Sequence, residues 1–374
     1  MSSLEHPDTS NIPERPEASL GRIPEILGAS CARIPETSWL QLPEKVQYLV
    51  FSGGAGKGYA HLGVLNVLQS LLKLYGKIML EHMKGFGGSS FGALLALACS
   101  LNLDYDIMET WFMEVDTASI FAKIDVVNFW QRRGLLRNTN IETKIVELMK
   151  LRFGNPENFT FEDLYRRTKK HLRVVMSNVS DCTVEYWDHV NHPKEKVIKA
   201  VVASMALPTM FEPVELLGKL YADGGTYMNS PVDLFPASQS LILRIDSQVR
   251  LETTEPSTPQ YLLHLVFSAM EFYERNYLGQ VSEEYKQRII PIKVNPCGAM
   301  DMMSPPTILR QQFVENGEKA AMDYFIHTTI LGQVMRMFFQ YKIVKNNDVQ
   351  DDTKSEIVLA STSNENINDQ NPNE

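Results

Sequence analysis

The segment that decides the fold runs from residue 46 to residue 65 and reads VQYLVFSGGAGKGYAHLGVL. It begins with the apolar run Val46–Ser52, whose β-forming residues predict a buried strand. The glycine-rich stretch Gly53–Gly58 follows, and the apolar residues after it have helical spacing. A strand that ends at several glycines and continues as a helix leaves backbone N–H groups unpaired beside the helix N-terminus. The segment therefore predicts an anion-binding loop.

Two familiar phosphate sites are excluded by the residues around this loop. A P-loop needs glycine five residues before its Gly-Lys pair and Ser or Thr after it, but Phe51 and Gly58 occupy those positions. A dinucleotide fingerprint needs glycine where Tyr59 or His61 stands. The remaining interpretation is an oxyanion hole, in which backbone donors hold the charge that develops on a carbonyl oxygen during acyl transfer. Such a site requires a nucleophile nearby.

A candidate nucleophile is Ser90, at the centre of the pentapeptide Gly88-Ser89-Ser90-Phe91-Gly92. The pentapeptide matches the pattern G-x-S-x-G, in which small residues allow a sharp strand-to-helix turn that projects the serine hydroxyl. A short strand-like run precedes it and an apolar helix follows, so strand, glycine turn and helix occur twice in succession. The alternative is a serine that only caps the helix.

The proton acceptor is sought among the residues that follow Ser90. A hydrolase triad requires a histidine, but no later histidine lies in a glycine-flanked turn, and two of them fall in a predicted hairpin turn. These candidates are His171, His189, His192, His264 and His327. Asp223, in contrast, ends a predicted strand and begins Asp223-Gly224-Gly225, a sequence also typical of an ordinary turn. Because a carboxylate within hydrogen-bond reach can take the serine proton directly, a Ser/Asp dyad is chemically admissible.

Composition sets the broad class of protein. With 374 residues, 44% of them hydrophobic, the chain can form one large α/β domain. The net charge of -9 argues against nucleic acid as a partner, because phosphate binding depends on Lys and Arg. The four cysteines are far apart, which favours a reducing intracellular setting. Because the chain has no apolar run of the roughly 20 residues that span a bilayer and no signal-peptide pattern, a soluble, cytoplasmic protein is expected.

Four regions are predicted along the chain. Residues 1–44 are polar and proline-rich and predict an extended arm, because repeated X-Pro steps resist helix formation. Residues 45–326 form the predicted catalytic domain. Residues 327–344 predict an amphipathic helical extension, and the Asn-rich, acidic residues 345–374 predict a disordered tail. Composition does not identify protein partners for the two terminal regions.

The three motifs together resemble those of the patatin-like phospholipases, a family of lipid acyl hydrolases. The family pattern is a G-G-G-x-[R/K]-G loop, then G-x-S-x-G, then D-G-[G/A]. Gly53–Gly58, Gly88–Gly92 and Asp223–Gly225 correspond to these three motifs in the same order, with Ala55 in place of the third glycine of the loop. Weaker matches include the run Ala203–Pro208 and Asn229. The resemblance covers roughly residues 46–322.

The resemblance implies an α/β fold, a three-layer α/β/α sandwich with a mostly parallel central sheet. It also implies a dyad in which Ser90 is the nucleophile and Asp223 is the general base. The implied oxyanion donors are the loop amides at Gly53, Gly54, Ala55 and Gly56. Supporting positions in the three motifs are Lys57, Gly58, Gly88, Gly92, Gly224 and Gly225. No metal or other cofactor is implied, and in the absence of an acidic calcium loop the activity is expected to be independent of calcium.

Two residues depart from the family pattern. Ala55 stands where the family usually has a third glycine, and alanine costs on the order of 1 kcal/mol if that position requires positive φ. Phe91 is bulkier than the alanine common after the nucleophile, and we expect it to narrow the acyl pocket.

The implied substrate is a membrane or micellar lipid, cleaved at an acyl ester of a glycerophospholipid or a related glycerolipid. Transient peripheral contact with membranes is expected, and two segments are candidates for it. One is the amphipathic helix predicted at residues 325–343, which can instead pack on the domain core, and the other is the loop that contains Met300, Met302 and Met303. An alternative function, motivated by Ala55 and the terminal extensions, is a lipid-binding scaffold with little or no turnover.

Overall fold

The computed structural model describes residues 45–122, 124–246, 255, 257–295 and 303–328, except for the side chains of residues 259 and 326–328. The predicted proline-rich arm and the predicted acidic tail lie outside these residues. The predicted amphipathic extension also lies outside them, apart from the backbone of residues 327 and 328. The predicted boundaries of these regions therefore stay predictions.

Strands occur throughout the described part of the chain, and the first of them lies shortly before the glycine-rich stretch Gly53–Gly58. They are β1 Tyr48–Phe51, β2 Gly85–Ser89, β3 Gly134–Leu136, β4 His171–Asn178, β5 Thr183–Trp187, β6 Thr209–Phe211, β7 Val214–Leu216, β8 Lys219–Asp223, β9 Ser240–Asp246 and β10 Ile289–Lys293. The main sheet has the spatial order β10-β9-β1-β2-β4-β8-β7, and β5 also pairs with β4. Strands β10, β9, β1, β2 and β4 are parallel, whereas β5, β7 and β8 are antiparallel to their neighbours. The sheet is therefore parallel through its middle and mixed at one side.

Helices connect these strands. They are α1 Ala60–Leu74, α2 Met79–His82, α3 Phe91–Ser100, α4 Tyr105–Glu114, α5 Phe129–Arg132, α6 Thr139–Lys150, α7 Phe161–Thr168, α8 Val197–Ser204, α9 Gly225–Met228, α10 Thr258–Gln280, α11 Glu283–Lys286 and α12 Thr307–Thr328. Short 3-10 turns occur at Ala55–Tyr59, Ala118–Phe121 and Ala237–Gln239. Within the ranges described, no helix is both long and apolar enough to cross a membrane.

The helices cover both faces of the sheet. Successive strand residues point to opposite sides of a sheet, and here both sides carry apolar residues that are buried. On β1, Leu49 and Phe51 belong to a large apolar core, whereas Val50 belongs to a smaller one. Side chains of α1, α3, α6, α8 and α12 complete the large core, and the end of α10 packs against the small one. The result is the expected three-layer α/β/α sandwich.

Several local predictions can be compared with the structure. The sequence Thr160-Phe161-Glu162-Asp163 fits a capping box and predicts a helix that runs to about Lys170. The capping box is formed, since the Asp163 amide donates to Thr160 Oγ1 and the Asp163 carboxylate accepts from the Thr160 amide. The helix, α7, ends at Thr168, two residues earlier than predicted, because Lys169 adopts φ 59°. The predicted hairpin turn at His189 and His192 is wrong, since the residues after them form α8 instead of a returning strand.

Candidate active site

Ser90 lies on a sharp turn between β2 and α3. Its backbone has φ 56° and ψ -125°, a conformation that costs a residue other than glycine roughly 1–3 kcal/mol. The turn packs closely on β1, because a Cβ added to Gly92 would lie 2.4 Å from the Phe51 carbonyl oxygen. The Ser90 hydroxyl makes no capping hydrogen bond to α3. The turn therefore has the strained geometry that the motif predicts, and the capping alternative is not realised.

The pairing of β4 brings Ser90 and Asp223 together. Strand β2 ends with Ser89 opposite Val175, and β8 ends with Asp223 opposite Met176. Strand β5 pairs with β4 over the same residues, so it occupies the other edge of β4. Strands β2 and β8 must then meet end to end along one edge of β4. Because their partners on β4 are consecutive residues, the residue after Ser89 and the last residue of β8 come into contact.

Ser90 and Asp223 share a short hydrogen bond. Ser90 Oγ donates to Asp223 Oδ2 at 2.5 Å, and the Gly225 amide donates to Asp223 Oδ1 at 2.7 Å. Asp223 is 3% exposed. Burial raises the pKa of the Asp223 carboxyl to about 7, although the hydrogen bonds from Ser90 and Gly225 lower it. A carboxyl group with this pKa can both accept and release a proton near neutral pH.

Ser204, at the end of α8, is a site residue that the motifs do not identify. Its Oγ accepts a hydrogen bond from the Ser90 amide at 2.9 Å and donates to the Val175 carbonyl at 2.6 Å. Its own carbonyl accepts from the Gly224 amide at 3.1 Å. One buried serine thus bridges the Ser90 turn, β4 and the turn after Asp223. The available sequence signal is its position in Ala203–Pro208, one of the weaker family matches.

The glycine loop, residues 53–58, lies beside Ser90. A Cβ added to Gly53 would lie 3.2 Å from the Ser90 Cβ. The Gly53 amide donates to the Asn229 carbonyl at 2.9 Å, so this member of the expected donor set is already engaged. The amides of residues 54–56 have no hydrogen-bond acceptor among the described residues. These three amides, at the start of a 3-10 turn that lines the same cavity as Ser90, are the remaining candidate oxyanion donors.

Three further loop residues were singled out by the family pattern. Ala55 has φ 48°, which meets the condition for strain and costs about 1–2 kcal/mol for a residue with a side chain. Lys57 is buried and contributes to the cavity wall. Gly58 allows close packing, since a Cβ there would lie 2.2 Å from the Phe91 ring.

Ser90 and Asp223 both line a cavity of about 400 Å³, within the range of roughly 300–1,000 Å³ that is usual for small-molecule sites. Much of its wall is apolar and includes Phe91, Leu94, Phe112, Ile141, Phe211 and Phe267. Phe91 packs against the rings of Tyr59 and Phe112 in this wall, and its narrowing of an acyl pocket stays a prediction. Met303, predicted to be interfacial, is instead buried in this wall, and Met300 and Met302 lie outside the described residues.

Charged residues of β9 and α10 form another part of the wall. Arg244 Nε donates to Glu274 Oε1 at 3.1 Å, and Arg244 Nη1 lies 3.2 Å from Asp246 Oδ1. Ser230 Oγ also donates to Glu274 Oε1, at 2.6 Å. The Arg244 charge is therefore balanced by carboxylates within the wall.

The candidate histidines do not join Ser90. His171 and His189 pack together with ring centroids 4.8 Å apart, and His192 stacks on Trp187 at 4.3 Å. No histidine among the described residues lines the cavity, and this includes His264 on α10. The His327 side chain lies outside the described residues. Among the described groups, the geometry favours a Ser/Asp pair over a histidine triad.

Comparison with known proteins adds independent information. Residues 49–236, just over half of the 374-residue chain, match the family model for patatin-like phospholipases. The chain is 24% identical over 260 residues to the uncharacterized protein R571 of Acanthamoeba polyphaga mimivirus, covering 67% of this chain and 84% of that protein. It is 26% identical over 194 residues to the probable lipid hydrolase 463L of Invertebrate iridescent virus 6, covering 51% of this chain and 64% of that protein. The match thus spans less than two thirds of that hydrolase.

A solved structure shares the fold. The crystal structure of VipD from Legionella pneumophila superposes with a TM-score of 0.51 at 16% identity, covering 76% of this chain and 67% of that chain. At this identity the likeness concerns the fold alone. The family match over half of the chain, on this fold, shows that the chain belongs to the patatin-like phospholipase family.

Proposed function

We propose that the protein is a lipid acyl hydrolase that cleaves an acyl ester of a glycerophospholipid or a related glycerolipid. The observation that carries the proposal is the 2.5 Å contact between Ser90 Oγ and Asp223 Oδ2 at an apolar cavity. Family membership and the name of the iridescent virus relative support the same class of reaction. The scaffold alternative draws support from the strained Ala55, and the experiment below separates the two.

The first half of the proposed reaction forms an acyl-enzyme. Asp223 takes the proton from Ser90 Oγ as that oxygen attacks the ester carbonyl carbon. The carbonyl oxygen becomes an oxyanion, and the amides of residues 54–56 donate hydrogen bonds to it. The ester C–O bond then breaks, and the proton on Asp223 passes to the leaving alcohol oxygen. The product released is a lysolipid or another glycerol-containing alcohol.

The second half releases the fatty acid. Asp223, again ionised, takes a proton from water while the water oxygen attacks the acyl carbon. The same amides hold the second oxyanion. The bond between the acyl carbon and Ser90 Oγ breaks, and Ser90 regains its proton from Asp223. Since each proton and each charge is handled by residues of the chain, the proposal assigns no step to calcium or another cofactor.

Substrate binding follows from the character of the cavity. Its aromatic and aliphatic wall suits an acyl chain, because burial of apolar surface contributes about 25 cal/mol for each Å² removed from water. The charged wall on β9 and α10 suits the polar part of a glycerolipid. Phe91, next to the proposed nucleophile, would contact the first carbons of the acyl chain.

The test combines covalent labelling with hydrolysis of a soluble short-chain ester, in the presence of EDTA. A fluorophosphonate probe should label the wild-type chain at Ser90, and Ser90→Ala should lose labelling and reduce hydrolysis by about 10³-fold or more. Asp223→Asn should also abolish turnover, because the Ser90 proton then has no acceptor.

Ser89→Ala is the matched control. Ser89 is the neighbouring serine, fully buried, and its Oγ has no hydrogen-bond partner among the described residues, so its removal should leave activity intact. Absence of labelling in the wild-type chain, with lipid binding retained, would favour the scaffold. Full activity in Asp223→Asn would rule out the proposed dyad.

A further inference from the structure

A run of apolar side chains projects from the protein between α4 and α6. We call residues 124–133 the apolar loop. Within it Ile124 is 57% exposed, Val126 69%, Val127 90% and Trp130 86%. Solitary exposed apolar residues are common on protein surfaces, but a group of four within seven residues marks an interaction site.

The exposure is part of an ordered conformation. The Asp125 amide donates to the Leu135 carbonyl at 2.9 Å, which closes the base of the loop. The Asp125 carboxylate accepts from the Asn128 side chain at 2.9 Å and pairs with Arg132 at 2.7 Å. Arg133, with φ 63°, ends α5. These polar contacts fix the conformation of the loop, and in this conformation its four apolar side chains are exposed.

Both ends of the apolar loop are attached to the cavity wall. Ile120 and Phe121, on the N-terminal side, line the cavity that contains Ser90 and Asp223. On the C-terminal side, β3 pairs with β6, and Phe211 of β6 also lines the cavity. The rings of Phe121 and Phe211 pack together with centroids 5.9 Å apart. The loop therefore projects from the part of the wall that is proposed to hold the acyl chain.

The residues of the loop combine the two features of an interfacial anchor. Tryptophan and aliphatic side chains enter the boundary between headgroups and acyl chains, and nearby arginines attract anionic headgroups. Arg133 and Arg137 follow the apolar side chains and are exposed. This pairing of apolar tip and basic flank suits a lipid surface.

We propose that the apolar loop docks the protein on anionic bilayers by inserting Val127 and Trp130. The inference rests on the proposed function, because the proposed lipid substrate is the reason to expect a bilayer at this surface. It locates membrane contact in a segment different from the two that the sequence indicates, residues 325–343 and the methionine loop. Docking at the loop would place the bilayer beside the wall that contains Phe121 and Phe211.

The test measures binding of Ser90→Ala protein to sedimented vesicles, so that the lipid is not consumed. The vesicles contain phosphatidylcholine with phosphatidylserine, or phosphatidylcholine alone. Adding Val127→Asp or Trp130→Ala should lower binding to the mixed vesicles about tenfold. Arg133→Glu with Arg137→Glu should lower binding to the mixed vesicles and leave the weaker binding to phosphatidylcholine unchanged.

Val190→Asp is the matched control, because Val190 is 73% exposed and lies in the turn after β5. It should bind mixed vesicles as well as the parent protein does. Equal binding by the parent, Val127→Asp and Trp130→Ala would overturn the inference. A dimer that Val127→Asp converts to a monomer, with no vesicle binding by the parent, would show that a second copy covers the loop and would also overturn it.

A separate measurement distinguishes this inference from the proposed function. With Ser90 present, the Val127→Asp and Trp130→Ala proteins should hydrolyse a soluble ester at the parent rate. If no variant and no parent hydrolyses the ester while vesicle binding still depends on the loop, the proposed function fails and the docking surface stands. If hydrolysis is normal and the loop variants bind vesicles as well as the parent does, the proposed function stands and the docking surface fails.

Discussion

The turn that carries Ser90 and the glycine loop beside it line the same cavity, and each holds a residue other than glycine at positive φ. At Ser90 the side chain is the proposed nucleophile, so glycine cannot replace it. At Ala55 the proposed role belongs to the backbone amide, so the methyl group adds strain without adding chemistry. The supports differ as well, because Ser204 holds the Ser90 amide, whereas the amides of residues 54–56 have no acceptor among the described residues. Strain is thus inseparable from function in the first region and removable in the second.

Acidification should give the largest effect, a loss of the activity proposed for Ser90, because its proposed proton acceptor, Asp223, has a pKa of about 7. On a soluble ester, kcat/KM should fall about tenfold for each pH unit below that pKa and should level off above it. A pH-rate profile from about pH 5 to about pH 9 measures this directly. A profile that is flat through pH 7, in an enzyme that Asp223→Asn inactivates, would show that Asp223 is not the titrating base.

The same group should make stability depend on pH. Folding raises the pKa of Asp223 from 3.8 to about 7, so between these values the folded state keeps a proton that the unfolded state releases. The free energy of unfolding should therefore decrease as pH rises through this window, relative to Asp223→Asn, which has no carboxyl group to titrate there. Denaturant titrations of both proteins at several pH values would measure the difference.

Ser204→Ala should weaken the support of the Ser90 turn. It removes the acceptor of the Ser90 amide and the donor to the buried Val175 carbonyl, so each of these backbone groups loses that hydrogen bond. We expect the free energy of unfolding to fall by about 1–3 kcal/mol and kcat to fall about tenfold, since the nucleophile is displaced. Denaturant unfolding and steady-state kinetics measure the two effects.

Ser100→Ala is the control for that variant. The Ser100 hydroxyl is buried and donates to the Ala96 carbonyl in the same helix, so its loss leaves the Ser90 turn intact. Stability should change by less than about 1 kcal/mol and kcat should be unaffected. Equal kinetic effects of the two substitutions would remove the special role assigned to Ser204.

Ala55→Gly should give the smallest effect and should act on the glycine loop alone. Glycine relieves about 1–2 kcal/mol of strain at φ 48° but adds roughly 0.5–1 kcal/mol of unfolded-state entropy. The free energy of unfolding should therefore rise by up to about 1.5 kcal/mol. The control is Ala269→Gly, an exposed position within α10, where the same change should lower stability by about 1 kcal/mol. A loss of stability in Ala55→Gly would mean that the loop is not strained.

Much of the fold and of the site follows from local sequence patterns. The glycine loop, the Ser90 turn and the turn at Asp223 each interrupt an apolar run, and such interruptions reveal where strands end. Because β1 and β2 are parallel, their carboxyl ends bring the glycine loop and the Ser90 turn to one edge of the sheet. Asp223 reaches the same place from the opposite direction, on the antiparallel strand β8. The resemblance added the roles of Ser90 and Asp223, which spacing alone leaves open.

The remaining features depend on contacts that no local pattern records. The hydrogen bonds of Ser204 join three separate segments, and a serine at the end of an apolar helix has no distinctive pattern. The Gly53 amide is a candidate donor by sequence, but Asn229, from a distant turn, accepts from it. In the apolar loop, Val127 and Trp130 are residue types usually found in a core, so their exposure is recognised only once the packing is known.

The meeting of β2 and β8 on one edge of β4 has a consequence for biosynthesis. Ser90 is translated 133 residues before Asp223, and the two become neighbours only when the β7–β8 hairpin has joined the sheet. On the proposed mechanism, a nascent or truncated chain therefore has its nucleophile without its base. Such a chain cannot hydrolyse the lipids it encounters before folding is complete.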